Sequence, residues 1–141
     1  MKLAGFNFTK INAEKFLEKA EKSIKVNVNI DVLSIKEVKS GFFISKENLI
    51  GVDFFYNVTY GQEFAKVEIE GKLLLAVESK VVKDVLNQWK DKKIPEDFKI
   101  NLFNLILSKV SLKALQLEEE LGLPFHLPLP TLRKQDNSKD L

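Results

Sequence analysis

The sequence predicts an α+β fold: a four-stranded antiparallel sheet, built as a meander around a long hairpin, with two C-terminal helices packed on one face. Three observations lead there. The first half alternates apolar and polar residues with the period of two that marks half-buried strands. Short turns join those segments, and short turns make antiparallel neighbours because parallel pairing needs a long crossover. Strands come first and helices last, which separates them into two layers. A chain of 141 residues is long enough for one core. The reading is a single domain over residues 1–132, followed by a flexible polar tail over 133–141, RKQDNSKDL.

In LAGFNFTKI, residues 3–11, Phe6 and Phe8 stand two apart and predict the first strand. Residues 12–22 fit either a helix capped by Asn12 or a strand continued to Phe16. In KVNVNIDV, residues Val26, Val28, Ile30 and Val32 alternate with polar neighbours, and then Leu33 and Ile35 take the opposite parity. A bulge or sharp bend near Leu33 would restore the register. A hairpin connection with Gly41 and Asn48 as turn residues leads into LIGVDFFYNVTY, where Ile50, Val52, Phe54, Tyr56, Val58 and Tyr60 share a face. Residues 64–77 run back with Ala65, Val67, Ile69, Leu73, Leu75 and Val77 in phase. Ser79 is a cap for a first helix in which Val81, Val82, Val85, Leu86 and Trp89 share a side. Pro95 opens a second helix with Glu96 and Asp97 at its positive end. That helix runs toward Leu121, with a break expected near Ser108 to Ser111, and stops at Gly122.

Composition excludes several functions. The sequence has no cysteine, so disulfides, thiolate nucleophiles and Cys-ligated zinc are out. Apart from Arg133, every basic side chain is a lysine, scattered among Asp and Glu under a net charge of +2. A nucleic-acid site wants a basic stripe and bidentate arginines, so no nucleic acid is expected as partner. No apolar run is long enough for membrane insertion, and MKLAGFNFTK has no apolar core of a signal peptide. The expected location is cytoplasmic.

Little catalytic chemistry is written here, and no enzyme, catalytic residue, metal or cofactor is expected. Glycines are dispersed without a phosphate-binding pattern. His126 is the only histidine and has neither acid nor nucleophile beside it in LPFHLPLP, so it reads as structural or at the surface. Glu118, Glu119 and Glu120 are consecutive on a helix and fan apart, which suits a solvated face better than a metal. Asp53, next to Phe54, is the one acid to check for burial.

Apolar surface is the informative surplus. FKINLFNLILSKV carries Phe98, Ile100, Leu102, Phe103, Leu105, Ile106, Leu107 and Val110 around most of a helix. A helix on one sheet needs a stripe only roughly 100° wide. The remainder is covered by a second layer of this chain, by another molecule, or is left open for one. Phe is the dominant aromatic, with 11 copies.

The FTKI opening, the bent VNVNIDVLSI…LIGVDFFYNVTYG hairpin, AKVEIEGKLLLA with its central Gly71, and the long helix running into LGLPFHLPLP together resemble the SecB-like protein-export chaperones. The resemblance spans Phe6 to Pro130, and the Lys-, Ile- and Asn-rich composition is most similar to an archaeal or divergent branch. It implies a homo-oligomer, a dimer or tetramer, that holds unfolded polypeptide clients without ATP in an apolar aromatic groove. The groove residues it implies are Phe42, Phe43, Phe55, Phe125 and Leu127. The oligomer face it implies comprises Phe98, Leu102, Phe103, Ile106 and Val110. Those export chaperones are acidic and this chain is slightly basic, a departure that bears on any contact with a translocation motor. A self-associating adaptor for one protein partner and a small apolar-ligand-binding domain are the competing readings.

In LGLPFHLPLP, Pro124, Pro128 and Pro130 hold the chain extended. Leu123, Phe125, Leu127 and Leu129 then face one way as a lid on apolar surface, and His126 faces the other as a bystander.

Overall fold

A computed structural model describes residues 1–16, 23–39, 47–132 and 134. Strands β1 (Lys2–Lys15), β2 (Val26–Val38), β3 (Glu47–Tyr60) and β4 (Ala65–Glu78) precede helices α1 (Ser79–Trp89) and α2 (Glu96–Leu121). The sheet is antiparallel, in the order β1-β4-β3-β2. The fold class is the expected one. The meander itself covers β2, β3 and β4, and β1 returns to pair with β4, a Greek-key arrangement. Pattern reading establishes which face of a strand is buried but not its lateral neighbour.

Of the two alternatives for residues 12–22, the chain adopts the strand as far as Lys15, and residues 17–22 lie outside the described residues. Phe16 still donates its N–H to the Phe64 carbonyl, at 2.8 Å. The bulge on β2 falls where the parity slips, between Val32 and Ser34. Leu33 is the extra residue and is 51% exposed, while Ile35 returns to the core. β1 has its own register shifts, between Leu3 and Gly5 and between Phe8 and Lys10. The central β3–β4 pair runs in unbroken register. Bulges on edge strands twist a free edge away from indiscriminate pairing.

Smaller expectations change. Asn48 is not a turn residue but pairs with Val77 at the start of β3. Ser79 is the first helical residue, and Glu78 occupies the cap position without a side-chain cap bond. Pro95 sits at the cap of α2, outside the helix proper. No break interrupts α2: the Ser108 hydroxyl donates to the Leu105 carbonyl at 2.7 Å, a back-bond that leaves the helix intact. Gly122 ends α2 in the left-handed conformation (φ 65°), and the Leu123 N–H caps the Glu118 carbonyl at 2.8 Å. Gly61 makes the β3–β4 turn with φ 60°. Gly41 and the polar tail, Lys134 apart, lie outside the described residues. None of the described helices is long and apolar enough to cross a membrane.

Both helices lie on the face carrying the even-numbered residues of β3. Val52, Phe54, Tyr56, Val58 and Tyr60 are 0% exposed there, as are Val67, Ile69 and Leu75 of β4. From α2 the core takes Phe98, Leu102, Ile106, Val110 and Ala114. These stand four residues apart, and an i±4 row runs obliquely along a helix, so α2 meets the sheet along a diagonal ridge.

Candidate functional site

The same row continues one step further, to Glu118, which is 0% exposed. Where five apolar side chains lead to a sixth position in the core, the chain places a carboxylate. Burying it requires donors, and the fold supplies them from two directions. From β3, the Tyr60 hydroxyl donates to Oε2 in a short hydrogen bond. From beyond the helix end, His126 reaches back with its ring Nδ1, 2.9 Å from Oε1 and 3.0 Å from Oε2, and with its backbone N–H, 3.3 Å from Oε1. The His126 side chain is 2% exposed, and its ring lies edge-on to Tyr56 with centroids 6.3 Å apart.

His126 is therefore no bystander, and Glu118 does not belong to a solvated face. Both expectations came from reading each residue against its sequence neighbours, whereas their partners lie eight residues apart and across to β3. One signal was present: the row from Phe98 to Ala114 at a spacing of four points to Glu118 as the next core position. No third His, Cys, Asp or Glu joins the pair to make a metal cluster among the described residues.

The cluster shapes the ionisation of its tyrosines. Burial, then the Glu118 charge, pushes the Tyr56 hydroxyl up to about 12. Burial, with the hydrogen bond to Glu118 and its charge, holds Tyr60 further above the ordinary phenol range. A group whose pKa is raised on folding adds stability that is complete below its unfolded value and fades as pH climbs through the folded one. Denaturation midpoints are thus expected to hold up to about pH 10 and to fall steeply from pH 10 to 12, with a shallower fall in Tyr56→Phe. A flat profile through pH 12 would contradict this. At neutral pH, Tyr60→Phe should cost about 1.5–3 kcal/mol by removing a bond to a carboxylate. Tyr56→Phe should change stability by less than about 1 kcal/mol, because the Tyr56 hydroxyl has no hydrogen-bond partner among the described residues.

Around this anchor the C-terminal segment is largely in solvent. Phe125 is 41%, Leu127 41% and Leu129 46% exposed, while Leu123 alone of the alternating set is buried, at 5%. The expected alternation does not hold: the inward-facing side chains are Leu123 and His126, and Pro124, Pro128 and Pro130 are exposed along with Phe125, Leu127 and Leu129. The segment also bends at His126 and Leu127 and does not run straight. As a lid it is held by a polar pin.

The other expected groove residues do not gather with it. Phe55 pairs across strands with Asp31 and Glu70 and lies on the helix-free face, half-buried, whereas His126 anchors Phe125 and Leu127 on the helix side. Phe42 and Phe43 lie outside the described residues. The expected oligomer face is corrected as well. Phe98, Leu102, Ile106 and Val110 are consumed by the chain's own core, because the diagonal row is the one that meets the sheet. Phe103 is partly exposed and remains available. Beside it Ile100 is 53% exposed, and Leu112, further along α2, is 68% exposed. Ile94, Glu96, Lys99, Ile100, Phe103 and Asn104 line an open groove of about 510 Å³. On the helix-free face a hollow of about 360 Å³ has Asn7, Ser34, Asp53 and Lys72 in its walls beside Val38 and Leu74, and it is open to solvent where a small apolar ligand would need an enclosed cavity. Asp53 is half-buried and accepts from the Ser34 hydroxyl at 2.9 Å.

No family model and no curated protein sequence matches the chain. Among solved structures it is similar to the SecB-like chaperone Rv1957 of Mycobacterium tuberculosis, in complex with a ChAD peptide from the Rv1956 HigA1 antitoxin. The TM-score is 0.50 at 12% identity, over 96% of this chain and 92% of that one. The likeness is one of fold: a four-stranded antiparallel sheet followed by two helices.

Proposed function

We propose that this protein is an ATP-independent holdase that binds unfolded polypeptide segments on a homo-oligomer. The observation that carries the reading is the fold likeness, over 96% of the chain, to a chaperone holding a peptide. Two features support it. Phe125, Leu127 and Leu129 stand exposed on a segment fixed at one end, and apolar burial is non-directional, so such a surface accepts many sequences. Each client side chain buried there would contribute about 1.5–3 kcal/mol. Among the described residues the outer edges of β1 and β2 have no strand neighbour, so the stretches clear of their bulges offer backbone groups that can extend a bound segment as a strand.

The chain is expected to suppress aggregation of a chemically unfolded client near stoichiometric ratios, followed by light scattering. No suppression at tenfold excess would overturn the reading. The defined peptide in the neighbouring complex also favours a narrower version, an adaptor for one protein partner. Indifference to unfolded clients together with capture of a single partner would select it.

Self-association is assigned to the outer side of α2, at Ile100 and Phe103. Phe103→Glu is expected to reduce the mass in solution to that of one chain, 16.1 kDa, or to leave the protein insoluble. A well-folded oligomer of unchanged mass would remove that surface from consideration.

A further inference from the structure

Beyond Leu123, the C-terminal segment has little to hold it down. Phe125, Leu127 and Leu129 are each at least 41% exposed. Pro124, Pro128 and Pro130 have no N–H to give. No backbone–backbone bond engages residues 124–132 among those described. Among the described residues the segment is pinned at His126, whose ring and backbone N–H both go to the buried Glu118. Beneath that pin lie the Tyr56 ring and the Tyr60 hydroxyl, aromatic surface that is 0% exposed while the segment is in place.

A cover held by apolar burial comes off only with a large loss of buried area. A cover held by polar contacts from one residue is different. It leaves when a competitor satisfies the same acceptor, and Glu118 accepts a backbone N–H from His126, a group every polypeptide carries.

We propose that the Glu118–His126 contact is a latch: residues 124–132 act as an intramolecular stand-in for a bound polypeptide, and a client displaces them to reach Tyr56, Tyr60 and Glu118. This rests on the holdase reading and adds its regulation. The closed segment competes with the client, so the observed affinity is the intrinsic one multiplied by the fraction of open molecules. The prolines keep the released segment extended and unable to fold into a helix.

The test compares the full chain with His126→Ala, which loses the ring, and His126→Asn, whose amide N–H takes the place of Nδ1. Amide hydrogen exchange reads the latch, and binding of reduced, carboxymethylated α-lactalbumin as an unfolded probe reads the competition. His126→Ala is expected to speed exchange across residues 125–132 about tenfold or more, with β3 and β4 unchanged, and to tighten probe binding several-fold. His126→Asn should restore both. Faster exchange with unchanged or weaker probe binding would overturn the stand-in role while leaving the holdase reading intact. Unchanged exchange would overturn the latch itself. A wild-type chain that does not bind the probe, yet frees its segment in His126→Ala, would instead overturn the holdase reading and with it the displacement step.

Discussion

Glu118→Ala is expected to lower the stability of the fold by roughly 3–5 kcal/mol, read as a fall in the urea midpoint at an unchanged m-value. The carboxylate is 0% exposed and is shared by the Tyr60 hydroxyl, the His126 ring and the His126 backbone N–H. Removing it leaves those donors unsatisfied in a dry site, at about 1–3 kcal/mol for each that finds no substitute. A cavity adds to the loss. Glu118→Leu separates these contributions, since leucine fills the volume and extends the apolar row from Phe98 to Ala114 but still orphans the donors. If Glu118→Leu matched the parent chain, the donors would not be the reason Glu118 matters. Glu118→Gln, which keeps acceptor capacity, is expected to lie between the two.

The second large effect is at Gly71. In the sheet it lies between Phe8 and Phe54 on the face that the helices cover. A Cβ built there falls 2.7 Å from Cε1 and Cζ of the Phe54 ring and 2.8 Å from the Asn7 carbonyl oxygen. Phe54 cannot withdraw freely, because it is 0% exposed and stacked on Phe6 with centroids 6.0 Å apart. Gly71→Ala is therefore expected to cost about 2–4 kcal/mol or to abolish soluble expression, as overpacking against backbone and ring together does. Gly5→Ala is the control, since its Cβ meets Leu74 no closer than 3.5 Å, and a change under about 1 kcal/mol is expected. Phe54→Leu should recover part of the Gly71→Ala loss in a double-mutant cycle, while strict additivity would show that the ring is not the obstacle.

Gly71 and Glu118 differ in how far they could be read in advance. Gly71 interrupts the alternation of AKVEIEGKLLLA at a core-facing position, which marks a close approach without naming what approaches. Glu118 was hidden by its neighbours: in a run of three glutamates the eye sees a wet face, and only the row of four from Phe98 places it inside. His126 offered no local signal, since its partner stands eight residues earlier and that partner's other ligand is on β3.

By itself the sequence determined the four strands in outline, both helices, the buried faces of β3 and β4 and the bulge at Leu33. These follow from side-chain period, parity and backbone-breaking residues, all of which act over a few positions. Tertiary structure decided the rest. It placed β1 beside β4, turned one row of α2 onto the sheet and left Ile100 and Phe103 outside. It also brought Glu118, Tyr60 and His126 to one point. Each of those depends on which surface meets which, and burial decides it: a carboxylate enters a core only where the folded chain brings donors to it from elements far apart in sequence.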